Sequence, residues 1–125
     1  MSRTSLSLVV FAALTLTACG NAPPSVDALT VDTPVKGTDG NWSMNVTVTV
    51  SDPNVDKIPR IAISGTGPAM IQAQSISIPN GAAGTYPIKL TLVGTAPVGE
   101  YTLSVVAYDE PGLESAAKTA KFSVQ

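Results

Sequence analysis

Apolar and polar residues alternate along much of the chain beyond residue 25, with a period of two. Trp42, Met44, Val46, Val48 and Val50 are interleaved with Ser43, Asn45, Thr47, Thr49 and Ser51. Tyr101, Leu103, Val105 and Ala107 are interleaved likewise with Thr102, Ser104, Val106 and Tyr108. Successive side chains of an extended chain leave on opposite faces, so each run predicts a β-strand with one face in a core. Tyr86, Ile88, Leu90 and Leu92 mark another strand, with Thr85, Pro87, Lys89 and Thr91 outward. Phe122 and Val124 are the packed residues of a closing strand over 117–124. Shorter strands are predicted at 26–31 and 58–64, where Pro59 implies either an edge position or a start at Arg60. Residues 69–78 are ambiguous and read as two short strands with Ile76 and Ile78 inward.

Turn chemistry separates these runs. Pro34, Gly37, Asp39 and Gly40 punctuate 32–41, and further turns fall at 52–57, 65–68, 79–84, 94–99 and Asp109-Glu-Pro-Gly112. About seven strands at intervals of roughly 8–12 residues, with no helical period after residue 25, predict an antiparallel β-sandwich. The opening Gly99-Glu-Tyr101, the alternating aliphatics and the exit Ala107-x-Asp109-x-x-Gly112-x-x-Ser115 resemble strand F and the F–G loop of bacterial immunoglobulin-like domains, with fibronectin-III-like sandwiches as wider kin. The resemblance implies an all-β fold, a single immunoglobulin-like sandwich over 26–125. It also implies a structural role for Tyr101 as the tyrosine corner, its hydroxyl bonding back to the backbone of the 94–99 loop. The core tryptophan and disulfide of immunoglobulin domains proper have no counterpart here.

The first 26 residues carry one charge, Arg3, followed by an apolar and hydroxyl run from Leu6 to Thr17. A run of roughly 12 residues is too short to span a bilayer and fits a secretory signal peptide over 1–18. The sequence Leu16-Thr17-Ala18-Cys19 resembles the lipobox of bacterial lipoproteins. That resemblance implies cleavage after Ala18 and acylation of Cys19, the chain's one cysteine, with palmitate-type chains holding the protein to a lipid bilayer. Gly20, rather than aspartate, at the next position implies the outer membrane of the cell envelope rather than the inner one. Residues 19–25 then form a lipidated cysteine and a proline-bearing linker.

Composition removes several classes of function. Seven basic and nine acidic residues give a net charge of −2, and no basic cluster is present, so no nucleic-acid partner is expected. The chain has no histidine and no Gly-Lys-Ser/Thr after Gly65-Thr-Gly-Pro68, so an enzyme is not expected. Chain direction in such a sandwich gathers the N-terminus, the 52–57 loop and the 109–112 loop at one pole. Asp52, Asp56, Asp109 and Glu110 would meet there as candidate calcium ligands, since calcium takes six to eight oxygens. The alternative is that Asp52 and Asp109 bond their own turns. No other cofactor is expected. The functional expectation is a non-catalytic binding or structural module of the bacterial envelope with an envelope protein partner. Alternatives are a calcium- or carbohydrate-binding adhesion module and an accessory subunit of an envelope or secretion complex.

Overall fold

The computed structural model describes residues 22–125. The stretch expected to be a signal peptide and Cys19, the expected lipidation site, lie outside the described residues. Eight strands follow in order: β1 (Ser25–Val31), β2 (Val35–Lys36), β3 (Trp42–Ser51), β4 (Arg60–Thr66), β5 (Ile71–Ser77), β6 (Gly84–Leu92), β7 (Gly99–Tyr108) and β8 (Lys118–Val124). The helical content of the described residues is one 3₁₀ turn, Pro79–Gly81. Every pairing is antiparallel. In one sheet β3 is central, with β6 along one side and β1 and β2 end to end along the other. The second sheet has the order β5-β4-β7-β8.

The predicted inward faces build the core between the sheets. Met44, Val46, Val48 and Val50 of β3 join Ile61 and Ile63 of β4 and Tyr101, Leu103, Val105 and Ala107 of β7 in one buried cluster. Leu90, Phe122 and Val124 belong to it as do Val26, Ile58, Ile71 and Ile78, while Tyr86, Ile88 and Leu92 are half-buried along its side. Removing each such aliphatic side chain from water stabilises the fold by about 1.5–3 kcal/mol before entropy is counted. The outward partners Ser43, Asn45, Thr47 and Thr49 can stay polar because β3 is buried on one face only.

Five local expectations are revised or resolved. The eighth strand is β2, two residues within the turn-rich stretch. The strand at 58–64 is β4, which begins at Arg60 and lies between β5 and β7 rather than at an edge. Pro59 therefore stops short of the ladder, where its missing N–H costs no bond, and its carbonyl accepts from Ile78 N (2.9 Å). Gly65 and Thr66 extend β4 instead of opening a loop. A Cβ at Gly65 would come within 2.8 Å of Ile71 Cδ1, so here glycine permits a close crossing of β4 and β5. Residues 71–77 form one strand, not two, and the linker is shorter than residues 19–25, because Pro24 is buried and Ser25 opens β1.

The registers fix two poles. Ser25 pairs with Ser51, Gly84 with Val50 and Arg60 with Tyr108, so the start of the described chain, the β3–β4 loop and the β7–β8 loop share one pole. Trp42 pairs with Leu92 and Gly99 with Val124 at the other.

Asp27 ties β1 to β3 at the first pole. Its carboxylate accepts from Ser51 Oγ (2.6 Å) and Ser25 Oγ (2.8 Å), and these hydroxyls, with Ser51 the stronger, hold it below the usual carboxylate range. A carboxyl held low when folded stabilises above its unfolded pKa, and that contribution is lost as pH falls through the lowered value. Asp27 is exposed, so the effect is small. The difference in melting temperature between wild type and Asp27→Asn is expected to be a few degrees at most at pH 7 and to close as pH falls through the lowered value. Melting curves from pH 2 to 7 read it directly.

Candidate functional site

The β3–β4 loop, Asp52-Pro-Asn-Val-Asp56, folds back on itself through its own first side chain. Asp52 Oδ1 accepts from Asn54 N (2.8 Å), and the Asp52 carbonyl accepts from Val55 N (3.0 Å). Val55 takes a left-handed φ of +58° and is 91% exposed, an uncommon conformation for a β-branched residue. This turn returns the chain so that Asp56 sits beside Asp52.

The β7–β8 loop is built on Asp109. Asp109 is 2% exposed, and its Oδ1 accepts from Gly112 N (3.0 Å) and Leu113 N (2.7 Å). Gly112, at φ +99°, supplies the left-handed residue that brings those amides round. Ser115 closes the loop: its Oγ accepts from Ala107 N (2.8 Å) and its N donates to the Ala107 carbonyl (2.9 Å). Glu110 N donates to the Lys57 carbonyl (3.0 Å), fastening this loop to the β3–β4 loop.

The two loops bring three carboxylates together. One oxygen each from Asp52, Asp56 and Asp109 lies within 4.8 Å of the other two. The Oδ2 atoms of all three are shielded from solvent and have no hydrogen-bond partner. Glu110, the fourth candidate, does not join: it is exposed and its carboxylate stays outside the group of three. Burial of its carboxyl, then repulsion from Asp52, Asp109 and Glu110, pushes Asp56 above the usual carboxylate range. No lysine or arginine pairs with the cluster among the described residues, where the ion pair formed is Lys121–Glu100 (3.6 Å). Turn-bonding and a free oxygen therefore coexist: Asp52 and Asp109 each spend Oδ1 on their own loop and leave Oδ2 over.

Elsewhere the surface offers less. The Tyr101 hydroxyl donates to the Pro97 carbonyl (2.7 Å), and its ring stacks on Phe122 with centroids 5.3 Å apart. The Tyr86 hydroxyl donates to the Ala82 carbonyl, a contact that sequence spacing did not single out. Two half-buried aromatic rings carry a cation over one face, Trp42 with Lys36 Nζ at 5.3 Å and Tyr108 with the Arg60 guanidinium at 3.8 Å. A groove of about 400 Å³ at the far pole is lined by Val31, Pro34, Trp42 and Phe122 together with Asp32, Lys121 and Ser123.

Two architectural comparisons bear on this geometry. The fold resembles the PKD domain of an M14-like peptidase from Thermoplasmatales archaeon SCGC AB-540-F20, with a TM-score of 0.52 and 21% identity, covering 84% of this chain and 98% of that one. The likeness establishes the immunoglobulin-like sandwich. A Niemann-Pick type C2 protein from the Japanese carpenter ant aligns at a TM-score of 0.41 and 7% identity over 86% of this chain and 96% of that one. No protein-family model matches the chain, and no curated protein matches it.

Proposed function

We propose that the protein is a lipid-anchored extracytoplasmic lipoprotein whose single sandwich serves as a non-catalytic binding or structural module of the bacterial envelope. The observation that supports this reading is the closeness of the sandwich to the lipobox. Ala22, three residues after Cys19, already bonds through its N to Asn54 Oδ1 (2.6 Å) in the β3–β4 loop. A lipid on Cys19 would thus hold the sandwich by one defined pole, within about 10 Å of the bilayer at ~3.3 Å per residue. Two or more acyl chains make such an anchor durable, which one chain does not. The absence of histidine from the sequence also argues for a module that binds or spaces rather than one that turns over substrate.

Cys19→Ser tests the anchor. The variant is expected to leave the membrane fraction for the soluble one, or to accumulate with its leader uncleaved. Normal cleavage with full retention through detergent-free washes would overturn the reading.

A further inference from the structure

We infer that Asp52, Asp56 and Asp109 form a calcium site that clamps the β3–β4 loop to the β7–β8 loop. The inference stands on the sandwich alone and does not depend on the lipid anchor. Three carboxylates drawn within 4.8 Å repel one another, and no cation among the described residues offsets them. Clustering of acids is common on surfaces, where water screens them. Here the three Oδ2 atoms are closed off from solvent and meet no donor among the described residues, and Asp109 is only 2% exposed. A buried ionised oxygen without a partner is costly, and a bound cation removes that cost at all three positions together.

The donor set selects the cation. All candidate ligands are hard carboxylate oxygens, with no histidine in the chain and its one cysteine in the lipobox, which disfavours zinc and copper. Three carboxylates, capable of one- or two-oxygen contacts, suit the flexible six-to-eight-oxygen shell of calcium. They suit magnesium less, because magnesium keeps several waters in a strict octahedron. The remaining positions would go to water or loop carbonyls. The left-handed turn at Val55 fits this role, since it holds Asp56 beside Asp52 at the expense of a relaxed backbone.

The test is thermal melting and calorimetric titration of the full chain in detergent, with calcium alone as the probe. In 1 mM calcium the melting temperature is expected to rise by about 10 °C over its value in chelator, as for a site of ~10 μM affinity. Asp56 makes no side-chain hydrogen bond among the described residues, so Asp56→Asn removes charge without removing a bond. This variant should melt above wild type in chelator and gain nothing from calcium. Asp109→Asn keeps the Oδ1 acceptor and should likewise lose the calcium rise. The inference is overturned if several millimolar calcium leaves wild type unmoved, if Asp56→Asn and Asp109→Asn keep the full rise, or if magnesium produces an equal one.

Discussion

Tyr101→Ala is expected to destabilise the sandwich by about 3–5 kcal/mol, the range for deleting a fully buried aromatic ring. Tyr101 is 1% exposed, stacks on Phe122 and lies against Gly67, where a Cβ would meet its Cδ2 at 2.8 Å. Losing the ring therefore opens a cavity bounded by β7, β8 and the loop after β4. For a domain of this size the loss is a large part of a total of ~5–15 kcal/mol, and the melting temperature should fall by well over 10 °C. Tyr101→Phe separates the two contributions. It keeps the ring and removes the bond to the Pro97 carbonyl, at a cost of about 0.5–1.5 kcal/mol. The same change at Tyr108, whose ring lies on the other face beneath Arg60, should cost less. Denaturant titrations of the three variants give the comparison, and equal losses in Tyr101→Phe and Tyr108→Phe would remove the corner bond from the account.

Gly94→Ala is expected to be the second severe change, at about 2–3 kcal/mol, although one methyl is added near the surface. The backbone at Gly94 has no positive φ, so the requirement is one of space. A Cβ there would lie 2.0 Å from the Gly40 carbonyl oxygen, a backbone atom that cannot rotate away. Gly94 N also donates to Asn41 Oδ1 (3.0 Å), and the displacement needed to admit the methyl would stretch that bond. Gly40→Ala meets nothing within 4 Å but sits at φ +85°, so its cost is conformational. Denaturant melts that place Gly94→Ala no lower than wild type would show that the two loops can part freely.

The pattern of alternation made most of this fold legible, and its failures have physical causes. β3 and β7 are each buried on one face for ten residues, so their period of two survives undiluted. β5 is an edge strand whose Gln72, Ala73, Gln74 and Ser75 are all exposed, which leaves no inward face for a pattern to record. β2 is two residues long and owes its pairing to Trp42 and Ser43 of its neighbour. Gly65 reads as a loop residue because glycine favours turns, yet the crowding by Ile71 that requires it is tertiary. At the candidate site, the convergence of Asp52, Asp56 and Asp109 followed from chain direction. The outward course of Glu110, the left-handed Val55 and the three solitary Oδ2 atoms did not, since each depends on how two loops pack.

The central strands carry one more consequence, which concerns time. Met44 lies beside Leu90 and Ile63 beside Val105, so the pairings at the heart of both sheets join residues more than forty positions apart. The pairings that can close as local hairpins are the two-residue β2–β3 contact, β4–β5 and β7–β8. The long loops must be closed before the core rewards them, so folding is expected on the scale of milliseconds to seconds rather than microseconds. Were the chain exported as proposed, such delay would serve it: hairpins could form and dissolve while β3 waits for β6, and the sandwich would set once both strands were on the same side.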